Sequence, residues 1–189
     1  AYTKAYGYEL FRKDPVTDEL SLLKDLSPGI NSGISSSLDA DEFAVVGDTM
    51  FFVAFGGDTG RELWKTDGTA AGTVLVKDIT EGGSSTDIAR LTAVGNTLFF
   101  VAETDAEGIE LWKSDGTATG TDIVKDIQPG PGDGLSRYGS IYSAFELINV
   151  NGTLFFGADN ETNGAELWVS DGTAGGTVLL RGISPGSSE

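Results

Sequence analysis

Carboxylates are the side chains most able to do chemistry in this 189-residue chain, which contains 29 Asp and Glu residues. It has no histidine and no cysteine, so thiol nucleophiles, Ser-His-Asp triads, Cys/His zinc sites and disulfides are excluded within it. With only 12 Lys and Arg residues the net charge is −17. This charge argues against nucleic acid or an anionic membrane surface as a partner, because both are negatively charged.

Paired carboxylates could hydrolyse glycosides, but the sequence singles out no pair. Four glutamates recur instead in the same motif, namely Glu9, Glu62, Glu110 and Glu166. An active site needs one asymmetric group of residues, so this repetition indicates a structural role. The simplest such role is a cross-strand ion pair with a Lys-Asp pair further along each repeat. We therefore expect no enzymatic activity and no catalytic residue.

Calcium is the metal that suits so acidic a chain. The candidate ligands are Asp39, Asp41 and Glu42, together with two acidic hairpin tips at 105–107 and 159–161. No segment has the spacing of an EF-hand loop or of a Gly-Gly-x-Gly-x-Asp calcium repeat. We expect no cofactor, with calcium left as an open alternative and its ligands unknown.

Two further residue types recur with the glutamates. Asp67, Asp115 and Asp171 each precede Gly-Thr, where an aspartate caps its own turn and glycine takes the positive-φ position. The tryptophans are Trp64, Trp112 and Trp168, and Phe11 replaces them in the first copy. That replacement favours packing between repeats over a repeated sugar-stacking site.

The repeat itself organises these residues. Glu-Leu-Trp-Lys-Thr-Asp-Gly-Thr at 62–69 returns at 110–117 and 166–173 with small changes, and a degenerate copy begins at Glu9. Lys-Asp-Ile or a variant follows 15 residues after each Glu, and a Phe-Phe pair ends 10 residues before each later Glu. All the length variation therefore lies between the Pro-Gly that follows Lys-Asp-Ile and the next Phe-Phe pair.

Each repeat predicts four short strands. Turn signals at 47–48, 95–96 and 151–152 predict hairpins, and the continuous apolar run at 98–102 predicts a strand covered on both faces. Four-stranded antiparallel units of about 50 residues are typical of β-propeller blades. We predict an all-β propeller array over 1–189: a partial first blade and its connection at 1–43, then blades at 44–90, 91–146 and 147–189.

The motif also resembles the bacterial ELWxxDGT-repeat proteins, whose hallmark is Glu-Leu-Trp, two residues, Asp-Gly-Thr, and then Leu-Val-Lys-Asp-Ile. Residues 110–127 match it nearly position for position, and the resemblance covers essentially the whole chain. It implies a secreted or cell-surface bacterial protein. The expected function is a non-enzymatic extracellular module that binds a glycan or protein, or that serves adhesion, within a longer propeller.

Binding residues are expected in the variable connections, since loops on a rigid scaffold carry function. The longest connection, 128–146, contains Arg137, Tyr138 and Tyr142, residue types enriched in recognition hot spots. These are the predicted ligand-binding residues. The alternative is that the two tyrosines only fold the loop down onto the blade.

The array contains four Glu-Leu-Trp hairpins but three Phe-Phe hairpins, about three and a half blades. Three explanations remain: a stretch of a longer array, copies that complete one another through the open half blade, or a closed four-bladed ring. No apolar run is long enough to span a membrane, so no membrane insertion is expected. Two alternative functions remain: a structural subunit that self-assembles and is completed by neighbouring copies, and a glycoside-acting propeller enzyme that uses paired carboxylates.

Overall fold

The computed structural model describes residues 2–3, 5–28, 32–35, 42–135 and 146–181, and these form antiparallel β-strands without a helix. The chain divides into two compact units, Ala1–Thr86 and Asp87–Glu189. The prediction of an all-β protein built from four-stranded antiparallel sheets is confirmed. In the described part of the chain there is no helix that could cross a membrane.

The described residues of the first unit form eight strands in three sheets. A two-stranded sheet joins β1 (Tyr2–Thr3) and β2 (Gly7–Tyr8), and a second joins β3 (Leu10–Lys13) and β4 (Leu20–Lys24). The third is a four-stranded meander of β5 (Phe43–Val46), β6 (Thr49–Gly56), β7 (Gly60–Thr66) and β8 (Val74–Lys77).

The second unit repeats the meander twice. Its first sheet contains β9 (Asp87–Val94), β10 (Thr97–Thr104), β11 (Gly108–Ser114) and β12 (Asp122–Lys125). Its second sheet contains β13 (Ile148–Val150), β14 (Thr153–Asp159), β15 (Ala165–Ser170) and β16 (Val178–Arg181).

The sequence repeat sets the same strand register in each four-stranded sheet. The second Phe of each Phe-Phe pair lies opposite the tryptophan of the next strand, as in Phe52↔Trp64, Phe100↔Trp112 and Phe156↔Trp168. A register shift follows each Leu of Glu-Leu-Trp, and the degenerate copy keeps it between Leu10 and Phe11. The degenerate copy is therefore a hairpin of the same design.

The Phe-Phe strands lie in the middle of their sheets and are covered on both faces, as their continuous apolar sequence predicts. Phe52 and Phe100 are fully buried, and Phe156 is 2% exposed. In the second unit, side chains of both sheets join one apolar cluster that includes Phe99, Leu154 and Trp168. The hairpin turns also form as predicted, with positive φ at Gly47 and Gly95.

Candidate functional site

The repeated glutamates are buried anchors for the connections between sheets. Glu62 and Glu110 are fully buried, Glu9 is 1% exposed and Glu166 is 4% exposed. Glu62 accepts hydrogen bonds from the backbone amides of Ile79 (3.1 Å) and Thr86 (3.2 Å) and from the Thr86 hydroxyl (2.6 Å). These donors lie 17 and 24 residues along the chain, so the carboxylate holds the start of the connection against its own sheet.

The same geometry recurs in two further repeats. Glu9 accepts from the amide of Gly33 at 2.7 Å, and Glu110 Oε1 accepts from that of Gly134 at 3.1 Å, again 24 residues on. A Cβ atom on either glycine would collide with the carboxylate that it faces. These two positions require glycine because the backbone approaches the acid too closely for a side chain.

The predicted cross-strand ion pair between these glutamates and the lysines of Lys-Asp-Ile is wrong. Lys24 and Lys125 instead donate to backbone carbonyls of the neighbouring sheet in the same unit, Thr73 O at 2.6 Å and Thr177 O at 2.8 Å. The Lys125 ammonium also lies 5.5 Å from the centre of the Trp168 ring. These two lysines therefore join sheets, while Glu9, Glu62 and Glu110 accept hydrogen bonds from backbone amides.

Burial changes the acidity of the anchors. Removal from water raises the pKa of Glu110 to about 7, against the opposing effect of the amides that hydrogen-bond to it, and the nearby Asp126 carboxylate raises it further. Burial likewise raises the pKa of Glu9 and of Glu62. A carboxyl group with a pKa near neutrality is typical of a general base. Glu110 is fully enclosed, however, so no substrate can reach it.

The Glu110 carboxyl group uses its two oxygens differently. Oε1 accepts from the amides of Gln128 at 3.0 Å and Gly134 at 3.1 Å. Oε2 is buried and, among the described residues, has no hydrogen-bond partner; the same holds for Oδ1 of Asp126. An unpartnered charged oxygen is costly in the interior, which explains why the protonated form of Glu110 is favoured.

The predicted turn role of the Asp-Gly-Thr aspartates is confirmed. Asp67 Oδ1 accepts from the amide of Thr69 at 2.9 Å and from its hydroxyl at 2.7 Å, and Gly68 has a φ of +85°. Asp115 and Asp171 make the same two bonds. The threonine hydroxyl and amide lower the pKa of Asp67, and equivalent bonds lower that of Asp171.

The three tryptophans pack inside the sheets. Trp64, Trp112 and Trp168 are 8%, 6% and 5% exposed, and the Trp112 ring lies 6.4 Å from that of Phe100. Sugar stacking needs an open ring face, so these residues do not form a repeated carbohydrate site. This outcome agrees with the packing role expected from the substitution of Phe11 in the first copy.

The predicted ligand-binding residues Arg137, Tyr138 and Tyr142 lie outside the described residues, as do the calcium candidates Asp39 and Asp41. Glu42 forms a partly buried ion pair with Arg61 at 2.5 Å. In the acidic tip at 159–161, Asp159 Oδ1 accepts from the amide of Glu161 at 2.8 Å. Within the described ranges, no three acidic side chains gather as metal ligands would.

Sequence reasoning missed one buried charge. Arg90 lies in β9, is 6% exposed and has a φ of +60°. It faces the register shift between Phe99 and Val101, which is a β-bulge that leaves an extra residue on β9. The position of this arginine among the apolar residues of β9 could have indicated a buried charge.

A groove of about 550 Å³ lies in the first unit, between β3 and the four-stranded sheet. Its apolar lining includes Leu10, Leu23, Val45 and Met50, and Arg12 and Lys13 add positive charge. Its walls are both apolar and partly exposed, as in grooves that hold another molecule.

No family model matches the sequence, and no curated protein matches it. Among solved structures, the fold is similar to that of the AtxE2 isopeptidase in its apo form, with a TM-score of 0.53 and 14% identity. The match covers 92% of this chain and 24% of the isopeptidase. At this identity the likeness shows the fold alone. This comparison contradicts the expectation that the protein is not an enzyme, because the similar structure is an isopeptidase.

Proposed function

We propose that the chain is an array of β-propeller blades, secreted or on the cell surface, whose variable connections bind an extracellular glycan or protein. The observation that carries this proposal is the buried glutamate anchor. It fixes Gly33, Thr86 and Gly134 at the same place in successive repeats, and all variation in length begins only after them.

Residues 34–42 separate Gly33 from β5 and residues 135–147 separate Gly134 from β13, whereas β9 begins directly after Thr86. The segment 135–147 is the longest and contains the arginine and the two tyrosines predicted to bind. Anchors of identical geometry allow such connections to change in length and composition without disturbing the sheets. That separation of framework from loop is typical of binding scaffolds.

The propeller fold is supported by three observations. The inner strands are covered on both faces, four-stranded meanders repeat with one register, and lysines link neighbouring sheets within each unit. The likeness to the isopeptidase extends over nearly the whole chain, which adds a solved structure with a comparable arrangement of strands.

Binding can be tested with a glycan array and with the proteins of an extracellular extract. Wild-type protein is expected to bind saturably, and Tyr138→Ala or Tyr142→Ala to weaken binding at least tenfold, since each removes an aromatic contact. Tyr6→Ala is the matched control because Tyr6 is 40% exposed and lies on a different hairpin. Equal binding by all four proteins would show that the long connection is not the binding site.

A role as one domain of a larger enzyme is the second candidate, favoured by the likeness to an isopeptidase. The chain matches about a quarter of that protein, so any shared role concerns a part of it. Mass spectrometry of isopeptide-linked peptides incubated with the protein would reveal cleavage. Products that persist in Glu110→Gln but disappear in Glu42→Gln would favour catalysis by a carboxylate outside the repeated anchors.

Calcium binding stays part of the proposal. Native mass spectrometry with added calcium, and again after chelation, should show whether an ion adds to the protein. An unchanged mass at millimolar calcium would end this part of the proposal, because extracellular calcium modules bind in the range of about 10⁻⁴ to 10⁻³ M.

A further inference from the structure

Two acidic side chains of the second unit lie opposite each other on adjacent strands. Leu111 of β11 pairs with Lys125 of β12. The next positions along the two strands are Glu110 and Asp126, and both lie on the other face of the sheet because successive residues of a strand face opposite sides. Cβ atoms of such cross-strand pairs are about 5 Å apart. The two carboxyl groups are therefore neighbours, and the Asp126 carboxylate raises the pKa of Glu110.

Each of these carboxyl groups uses one oxygen to hold the connection that follows β12. Glu110 Oε1 accepts from the amides of Gln128 and Gly134. Asp126 Oδ2 accepts from the amide of Gly130 at 3.2 Å. The other two oxygens, Glu110 Oε2 and Asp126 Oδ1, are buried and have no hydrogen-bond partner among the described residues. Two neighbouring carboxyl groups repel each other when both are ionised.

The cations of strands β9–β12 are Arg90, Lys113 and Lys125. The two lysines donate to backbone carbonyls of the neighbouring sheet, and β10 separates the strand of Arg90 from that of Glu110. The other charged side chains of these strands and of the connection 128–134 are acids, namely Asp87, Glu103, Asp122 and Asp133. In the part of the chain that the structure describes, neither member of the pair forms an ion pair. A proton is then the cation that can relieve the repulsion between them without moving the backbone.

We infer that Glu110 and Asp126 share one proton, and that this proton keeps the connection 128–134 closed. The protonated Oε2 of Glu110 donates to Oδ1 of Asp126, so one hydrogen bond satisfies both remaining oxygens. While the proton is present, the pair holds the amides of Gln128, Gly130 and Gly134 against the sheet. When the proton is lost, two buried negative charges lie side by side. The connection then opens, because opening admits the water that both charges need.

The equivalent pair in the first unit lacks one part of this arrangement. Glu62 and Asp78 occupy the same positions, and Oδ1 of Asp78 is again buried without a hydrogen-bond partner among the described residues. Glu62, however, uses both oxygens, since Oε2 accepts from the amide of Ile79 and Oε1 from that of Thr86. Only Glu110 of these two glutamates has an oxygen to spare for its aspartate. In the second unit burial raises the pKa of Glu110 to about 7, which places the loss of the proton near neutral pH.

Hydrogen exchange of the full chain tests whether the connection opens when the proton is lost. The amides of Gln128, Gly130 and Gly134 are followed at pH 5.5 and pH 8.5, and each rate is divided by the intrinsic exchange rate at that pH. The pKa of Glu110 is about 7 in the closed connection and 4.5, its ordinary value, in the open one. The equilibrium constant for opening should therefore rise about thirtyfold between the two pH values.

Asp126→Asn separates the shared proton from the effect of burial alone. Asparagine keeps an oxygen for the Gly130 amide, removes the negative charge and offers an N–H group to Oε2 of Glu110. If these changes lower the pKa of Glu110 by about one unit, the rise in the opening constant falls to about fourfold. Glu110→Gln has no proton to lose and should show no rise. Asp78→Asn is the matched control in the first unit and should keep the thirtyfold rise.

Carbon-13 NMR of the side-chain carboxyl groups in the wild-type chain provides a test that needs no variant. A shared proton should make the signals of Glu110 and Asp126 move together, with one midpoint near pH 7. An Asp126 signal that does not move at the midpoint of Glu110 would overturn the inference.

Two results of the exchange experiment would also overturn it. The first is an opening constant of the wild type that does not rise between pH 5.5 and pH 8.5. The second is a thirtyfold rise that persists in Asp126→Asn, since burial of Glu110 alone would then account for it. Neither result depends on what the long connection binds, so this inference and the proposed function fail independently.

Discussion

Replacing Glu110 with glutamine is expected to make the second unit less sensitive to rising pH. In the folded protein burial raises the pKa of Glu110 to about 7 from 4.5. The folded state therefore keeps this proton at pH values where the unfolded state has released it. Stability must then fall as the pH rises from about 4.5 to about 7, and stay level above that.

The size of the effect follows from the two pKa values. A shift of about 2.5 units is equivalent to about 3 kcal/mol, of which about 2.5 kcal/mol is lost between pH 5 and pH 8.5. Glutamine mimics the protonated acid, because its oxygen can accept from Gln128 and Gly134 as Oε1 does. Its amide group then takes the place of the unpartnered Oε2.

The composition simplifies the experiment, since the chain has no histidine or cysteine side chain that would titrate between pH 5 and pH 8.5. Urea unfolding is followed by tryptophan fluorescence at pH 5 and pH 8.5. A Trp64→Phe background leaves Trp112 and Trp168 as reporters of the second unit, and Phe11 shows that the repeat accepts phenylalanine there. Glu9 and Glu62 also have raised pKa values. Both residues are present in the variant and in its parent, so their contributions to the pH dependence of stability cancel in the difference.

From pH 5 to pH 8.5, the unfolding free energy of the parent should fall by about 2.5 kcal/mol relative to that of Glu110→Gln. Asp105→Asn removes one charge from an exposed tip of the same unit and should show no such difference from the parent. The reasoning is refuted if glutamine and glutamate differ by the same amount at both pH values.

Three further predictions concern the framework. Gly134→Ala should destabilise the second unit by about 2–3 kcal/mol in urea unfolding, because the added Cβ would collide with the Glu110 carboxylate. The control is Gly175→Ala, which has open space around it and should destabilise the unit by less than about 1 kcal/mol. Equal losses of stability in the two variants would contradict this prediction. Lys125→Met keeps the apolar stem but loses the hydrogen bond to Thr177 O and the contact with the Trp168 ring, so the free energy of unfolding should fall by about 1–2 kcal/mol. An unchanged midpoint of urea unfolding would show that this lysine does not join the sheets. Asp171→Ala should lower the midpoint of thermal unfolding at neutral pH, because it removes the hydrogen bonds to Thr173. Below the ordinary pKa range of aspartate this difference in midpoint should shrink, because protonation removes the same bonds from the wild type. A difference that does not change with pH would contradict the prediction.

The sequence predicted features whose hydrogen bonds close over a few residues. The Asp-Gly-Thr turn is the clearest case, since Asp67 bonds to Thr69 two positions on. Glycine at the next position supplies the positive φ. The hairpin turns at Gly47 and Gly95, and the doubly covered Phe-Phe strands, follow from local turn chemistry and apolar pattern in the same way.

The partners of the repeated charges could not be predicted from their spacing. Glu62 and Lys125 both suggested an ion pair, yet Glu62 accepts amides up to 24 residues away and Lys125 donates to a carbonyl 52 residues away in another sheet. Which backbone groups meet a buried charge depends on how connections and sheets pack together. The fixed spacings between the motifs of the repeat could not reveal this packing.

The sequence by itself determined the repeat, the strands and the turns, because each depends on neighbouring residues or on a simple period. Only the tertiary structure decided which backbone groups meet the repeated charges, and it alone formed the groove between β3 and the four-stranded sheet, because both depend on how separate segments pack. A groove exists only where separate segments meet, and no local pattern encodes its volume.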